Sequence, residues 1–246
     1  MNIFVLTGAG VSAESGLGTF RNKERTGLWA RFDPLKLATP EGFARDPDEV
    51  HAFYNARRRR VIEATPNAAH LALARLDAGM VERGDRLTLV TQNIDDLHER
   101  AGSRGVVHMH GELLKARCGD CQAASEWRGD LGRDCQCPTC RRIGAMRPHV
   151  VWFGEIPLEM AAIDAALAAA DLFVSIGTSG AVYPAAGFVT TAQRQGAATC
   201  EINLEPSDNA DQFHEKRYGP ASREVPAWVE EILAQGRDRR MTTRST

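Results

Sequence analysis

The sequence predicts an α/β fold, a doubly wound parallel sheet with a smaller inserted zinc-binding and helical domain. Short, near-continuous apolar runs recur at residues 2–7, 87–91, 172–177 and, more weakly, 198–202. Helical patterns separate them, and apolar strands alternating with helices form parallel sheets covered on both faces. Five of the six cysteines crowd between Cys118 and Cys140, in a stretch too poor in apolar residues to build a core of its own.

Each element follows in order. The first run is stopped by Gly8-Ala9-Gly10, so it reads as a buried strand delivering a glycine turn. Residues 22–64 are polar with a helical pattern, three prolines and no strong strand, which marks a helical excursion or a flexible loop. Helices are expected over 70–76, 158–170, 185–195 and, after Pro226, 227–233. These readings divide the chain into a larger discontinuous domain (1–31, 65–114 and 149–235) and a small domain. The small domain comprises a helical insert at 32–64 and a zinc module at 115–148. The arginine-rich end, 236–246, reads as a solvated, disordered tail.

The chain has 246 residues, 43% of them hydrophobic, enough for one large core or for a core plus a small satellite. Thirty Lys+Arg against 32 Asp+Glu leave a formal charge of −2, so no overall basic field draws nucleic acid or an anionic membrane. No apolar run approaches the roughly 20 residues that span a bilayer, and the first residues lack a basic n-region. A cytoplasmic location is the expectation. There the thiols stay reduced, so a cysteine cluster points to metal rather than disulfides.

Cys118-x2-Cys121, followed after fifteen residues by Cys137-x2-Cys140, presents two pairs of thiolates to one tetrahedral zinc and leaves no open position. Cys135, two before Cys137, is a competing ligand, and Cys200 reads as a core thiol. The turn from Gly8 to Gly16 sits where a dinucleotide-binding turn would, but it lacks the G-x-G-x-x-G spacing and a later acidic ribose contact. By itself it reads either as a phosphate cradle or as a tight structural turn. Asn93 and Asp95, two apart at a strand's carboxyl end, either face a ligand together or cap the next helix. Of the alternating His108 and His110, the latter, beside Gly111, is a candidate base or a satisfied structural group. Tyr54 and Arg57 share a helix face, where they either bind a carboxylate jointly or belong to a solvated arginine run ending at Arg60.

In chain order, Gly8-Ala9-Gly10-Val11-Ser12-Ala13-Glu14-Ser15-Gly16 with Phe20-Arg21, Thr91-Gln92-Asn93-Ile94-Asp95, His110-Gly111, the four cysteines, Gly177-Thr178-Ser179 and Asn203-Leu204-Glu205 resemble the sirtuin family of NAD-dependent protein-lysine deacylases. Tyr54-x2-Arg57 and the segment from Arg147 to Glu155 are similar to its class III, CobB-like branch. The resemblance implies a Rossmann-like domain and one structural zinc ion. NAD would be bound by Gly8, Ala9, Gly10, Ala13, Glu14, Phe20, Arg21, Trp29, Gln92, Asn93, Ile94, Asp95, Gly177, Thr178, Ser179, Asn203, Leu204, Glu205 and Ala221. It further implies that His110 is the general base, with Asn93 and Asp95 orienting the ribose. Acyl-lysine would lie against Tyr54, Arg57, Val151, Phe153 and Gly154.

The implied reaction removes acetyl and succinyl or malonyl groups from lysines of partner proteins, releasing nicotinamide and O-acyl-ADP-ribose. The implied enzyme is a monomer without nucleic-acid or membrane partners. The family's Gly-Ile-Pro-x-Phe-Arg stands here as Gly16-Leu17-Gly18-Thr19-Phe20-Arg21, and losing that proline leaves the loop less constrained. A mono-ADP-ribosyltransferase using the same crevice and a non-enzymatic NAD sensor or zinc-ribbon adaptor are the rival classes.

Overall fold

The computed structural model describes residues 1–18 and 34–243. The expected NAD contacts Phe20, Arg21 and Trp29 lie outside the described residues. The elements, in chain order, begin with β1 (Asn2–Thr7), α1 (Ala9–Ser12), α2 (Pro34–Leu37), α3 (Pro40–Arg45), α4 (Pro47–Glu63), α5 (Ala68–Arg83) and β2 (Arg86–Thr91). There follow α6 (Leu97–Arg100), β3 (Val107–His108), β4 (Gly111–Cys118), β5 (Ala124–Glu126) and β6 (Met146–Val150). The last part comprises α7 (Met160–Ala168), β7 (Leu172–Ile176), α8 (Phe188–Arg194), β8 (Ala198–Asn203), β9 (Glu215–Tyr218) and α9 (Ala221–Thr243).

Six strands form one parallel sheet in the order β3-β2-β1-β7-β8-β9. The alternation of β1 shows why helices cover both faces. Ile3 and Val5 pack with α5 and α9 through Leu73, Leu76, Trp228 and Val229, while Phe4 and Leu6 pack with α7 and α8 through Ile163, Leu167, Phe188 and Val189. Local chemistry sets the helix ends. Asn67 caps α5 and completes a capping box with His70, and Gly84 ends that helix in the left-handed conformation at φ 73°. Asp46 accepts the Glu49 N–H at 2.9 Å, and Pro47 opens α4.

The second sheet is antiparallel, β5-β4-β6. Its apolar side joins the helical insert in one cluster that includes Val50, Phe53, Tyr54, Leu113, Val150 and Trp152. Ala116, Leu131 and Met146 form a smaller cluster with Cys118 and Cys137.

Three sequence expectations are corrected, and two strands were not read at all. β4 and β6 run across the expected boundaries at 114 and 148, because Gly111 pairs with Val150 and carries the second sheet to the first sheet's edge. The last helix begins at Ala221, not after Pro226, and carries that proline inside it; the buried Val225, Trp228 and Val229 pack on both sides of it into the core of the main sheet. That helix continues through Thr243, so the expected tail from Gly236 is helical backbone over most of its length. The short parallel strands β3 and β9 carry too few apolar residues to be read from periodicity.

Candidate active site

β1 is flanked by β2 on one side and β7 on the other, so the chain leaves the sheet's centre in both directions and a crevice opens at the carboxyl ends of these strands. Three glycines close its floor. The Gly8 and Gly10 amides donate to the carbonyls of Ile176 and Gly177, and a Cβ on Gly10 would stand 2.7 Å from the Gly177 Cα. Gly177 itself has φ +63°, and a Cβ there would lie 2.5 Å from the Val11 nitrogen. The turn is therefore a tight structural turn, packed backbone to backbone against Gly177. Ala9 lies in that turn, half-buried, and Ala13 is exposed just beyond it.

On the β7 side, the buried Thr178 hydroxyl bonds with Ser175 at 2.8 Å, and the Thr178 carbonyl accepts from the Asn203 amide at 2.8 Å, tying the β7 and β8 ends together. Ser179 accepts the Ala181 N–H through its hydroxyl. Leu204 and Glu205 are exposed at the rim. Glu14 is engaged by another element: its two carboxylate oxygens take the Ser222 N–H and hydroxyl, each at 2.8 Å, next to Ala221 at the start of α9.

Beneath the crevice lies a buried polar network centred on Ser12. His70 Nδ1 accepts the Asn67 N–H, so its Nε2 carries the proton and donates to Ser12 Oγ at 3.3 Å. Asn93 Nδ2 donates to the same oxygen at 3.1 Å, and the Ser12 hydroxyl donates to Asp95 Oδ2 at 3.1 Å. One hydroxyl thus gives its one hydrogen and fills both lone pairs. Asp95 also accepts the Leu97 N–H at 3.1 Å, so it caps the helix turn and faces Ser12 at once. Burial pushes its pKa up, against the lowering pull of those two hydrogen bonds. Gln92 and Ile94 place their backbones between these groups: the Gln92 N–H donates to Thr7, and the Ile94 carbonyl accepts from Leu113.

The two alternating histidines have opposite electrostatics. His108 is buried, which lowers its pKa, but the Glu99 carboxylate at 2.7 Å outweighs that and raises it overall. Among the described residues His110 has no such partner; burial lowers its pKa, only partly offset by its bond to the Gln92 carbonyl. Because that carbonyl only accepts, the proton sits on Nδ1 at 3.1 Å, which leaves Nε2 as the free acceptor. A neutral imidazole with an open Nε2 is the form a general base requires.

The second wall of the site comes from α4 and β6. Tyr54 is buried, and its oxygen accepts the Trp152 Nε1–H at 3.0 Å. Arg57, three residues on and half-buried, spreads over the Phe53 ring at 5.5 Å; burial lowers its pKa, and nearby Tyr54 and Asp95 pull it up. The four arginines do not form one solvated face. Arg58 is fully buried and donates to the Leu113 carbonyl and to Asn55, while the exposed Arg59 pairs with Asp130 at 2.7 Å. Val151 donates its N–H to the His110 carbonyl at 2.8 Å, linking this wall to the candidate base. Phe153 is exposed, and Gly154 follows at φ +89°.

Cys118, Cys121, Cys137 and Cys140 bring their Sγ atoms within 4.8 Å of one another, with two pairs at 3.7 Å. Tetrahedral zinc with bonds of about 2.3 Å needs sulfurs about 3.8 Å apart, so the four residues fit the ion. The Cys140 and Thr139 amides hold the Cys137 thiol pKa down to about 6, favouring the ligating thiolate. Cys135 stays outside the cluster, its Sγ facing the Gly132 N–H and the Asp130 carbonyl, so it does not displace Cys137. Cys200 is buried in β8, as a core thiol.

Ser12, His70, Asn55 and Trp152 escaped assignment from sequence. Ser12 and Trp152 stood in sequence only as members of longer segments, the Gly8–Gly16 turn and the Arg147–Glu155 stretch, and His70 and Asn55 carried no functional signal.

The Sir2 family model matches residues 8–184. The chain is similar to an NAD-dependent protein deacylase of Caulobacter vibrioides, 63% identical over 235 residues covering 96% of this chain and 98% of the relative. It is also similar to one of Escherichia coli strain K12, 57% identical over 233 residues covering 94% and 82%. A crystal structure of a Sir2 homologue in complex with NAD superposes with a TM-score of 0.85 at 37% identity, covering 96% of this chain and 90% of that one. A Sir2 protein bound to a deacetylated p53 peptide and 3′-O-acetyl ADP ribose superposes at 0.77 with 27% identity, covering 96% and 93%.

Proposed function

The chain belongs to the Sir2 family, and from that premise we propose an NAD-dependent protein deacylase that removes both acetyl and acidic acyl groups, succinyl and malonyl among them, from lysine side chains. Nicotinamide and O-acyl-ADP-ribose are the other products. When bound, NAD supplies an electrophilic ribosyl carbon with nicotinamide as its leaving group. The protein's part is to orient and to move a proton. The Ser12 network fixes the Asn93 amide and the Asp95 carboxylate under the crevice, so neither reorganises when ribose hydroxyls arrive. His110 Nε2 takes a proton from one of those hydroxyls, a contribution of about 10²–10⁴-fold for a positioned base.

The acyl preference rests on one observation: the half-buried Arg57 guanidinium stands three residues from the Tyr54 hydroxyl on the α4 face nearest Asp95. A terminal carboxylate there gains a charge-assisted contact that a methyl group does not. The zinc ion, held by four thiolates with no open position, stabilises the small domain and takes no part in the reaction.

Incubation with NAD and matched acetyl- and succinyl-lysine peptides, followed by mass spectrometry, tests this reading. Free lysine and O-acyl-ADP-ribose from both peptides are expected. Nicotinamide release with the acyl group left on lysine and ADP-ribose attached to protein would assign a mono-ADP-ribosyltransferase instead.

A further inference from the structure

The Tyr54 hydroxyl is buried, and among the described residues its one hydrogen bond is the contact with Trp152. Indole Nε1–H is a donor only, so the Tyr54 oxygen is the acceptor there and its own hydrogen is left for something else. A buried O–H with no acceptor is unfavourable, so an arriving acceptor is drawn to it.

The indole that enforces this is tightly held. Arg147 stacks over the Trp152 ring at 3.3 Å, and Glu155 grips Arg147 at 2.6 and 3.0 Å while accepting the Trp152 backbone N–H at 2.8 Å. Phe43 lies against the ring at 5.2 Å. The Trp152 side chain is 2% exposed and cannot swing aside without breaking this clamp.

We propose that Trp152 is a specificity-determining positioning residue: by donating to the Tyr54 oxygen it turns the Tyr54 hydroxyl hydrogen toward the acyl group, so that Tyr54 meets the substrate as a donor. This rests on the proposed reading of Tyr54 and Arg57 as the acyl-carboxylate pair. A carboxylate is an acceptor at every lone pair and satisfies that hydrogen; the methyl of an acetyl group does not. Trp152 thereby favours acidic acyl groups without touching them.

The test is steady-state kinetics of Trp152→Phe, Tyr54→Phe and the double variant on matched succinyl and acetyl peptides. Trp152→Phe is expected to lower the succinyl-to-acetyl ratio of kcat/KM about tenfold, through the succinyl KM rather than kcat, the scale of one hydrogen bond to a charged group. Adding it to Tyr54→Phe should lower the ratio no further, because the hydroxyl it orients is gone. Because phenylalanine leaves part of the indole's volume unfilled, benzothienylalanine at position 152 provides a second variant that keeps the ring's shape and lacks only the N–H; the same ratio change is expected.

An unchanged ratio in that isostere, or fully additive losses in the double variant, would overturn the proposal. Arg57→Met separates the two levels. If it lowers the ratio while the isostere does not, only the role of Trp152 fails; if it leaves the ratio unmoved, the acyl-carboxylate reading itself fails.

Discussion

The two walls of the crevice are built by different physics. The floor at the ends of β1 and β2 is polar and buried, and Ser12, His70, Asn93 and Asp95 hold one another by hydrogen bonds. The facing wall is aromatic and cationic: Phe53, Tyr54, Trp152 and Phe43 pack together, and Arg147 and Glu155 clamp them from behind. In the proposed reading the floor serves atoms that every acyl substrate shares, and the wall faces the part of the substrate that varies. Rate and acyl choice are therefore separable, and variants of one wall should leave the signature of the other intact.

The strongest way to break this division is at the base. His110→Ala is expected to lower kcat about 10²–10⁴-fold on acetyl and succinyl peptides alike, because its bond to the Gln92 carbonyl belongs to the floor and not to the acyl wall. A loss confined to one peptide, measured by product formation, would merge the two walls into one. The pH profile sharpens the point. Burial lowers the His110 pKa, so the fraction in the neutral, base-competent form stays high below pH 6.5 and is lost only as pH falls through the lowered value. The acid limb of kcat/KM should accordingly lie below the ordinary imidazole range and shift equally little between acyl groups.

Next in size is the wall itself. Arg57→Met is expected to lower the succinyl-to-acetyl ratio of kcat/KM by about 10- to 100-fold, the loss of one charge-assisted contact of about 1.5–3 kcal/mol. Equal losses on both peptides would show that Arg57 serves the shared chemistry.

How far these walls could be read from sequence follows from their physics. The apolar strands and the glycine turn announce themselves locally, since Ile3 to Leu6 are buried in succession and Gly8 and Gly10 stand where no Cβ fits. The cysteine pairs do so through their spacing. The floor's network was hidden because its four members come from three separate segments: Ser12 at the end of α1, His70 in α5, and Asn93 with Asp95 after β2. Trp152 and Tyr54 lie 98 residues apart. The arginine run misled for a related reason: on a helix, four consecutive residues point four ways, so Arg58 turns inward to Leu113 while Arg59 meets Asp130 in solvent.

A smaller effect sharpens the account of the floor. Burial holds the His70 pKa down to about 4, and His98, whose ring lies 4.9 Å away, is lowered in the same direction. Unfolded, these imidazoles bind a proton below about pH 6.5, while the folded protein leaves them neutral. The unfolded state therefore holds more protons in that window, and the stability these groups allow is fully present above pH 6.5 and lost as pH falls toward 4. His108 has the opposite sign, because Glu99 raises its pKa: its contribution is present at low pH and lost as pH rises through the folded value. Denaturant unfolding of His70→Gln across pH 4–7 should show a shallower acid loss than the parent. An unchanged slope would mean that His70 takes up a proton in the folded state and that the floor is not held neutral.

The smallest expected effect tests how the zinc module supports the acyl wall. Asn55 lies between Tyr54 and Arg57 on α4, and its amide bonds twice to Leu131, donating to the carbonyl at 2.8 Å and accepting the N–H at 2.9 Å. Leu131 packs with Cys118 and Cys137, so one side chain joins the cysteine cluster to the helix that carries Tyr54 and Arg57. Asn55→Ala leaves two buried backbone groups of Leu131 without partners and should cost about 1–3 kcal/mol in denaturant unfolding. If the link also sets the pitch of α4, the variant raises the succinyl KM more than the acetyl KM, and zinc removal by chelation shifts the same ratio in the same direction. A stability loss with the ratio unmoved would make the module a brace for the fold alone and leave acyl choice wholly to the aromatic wall.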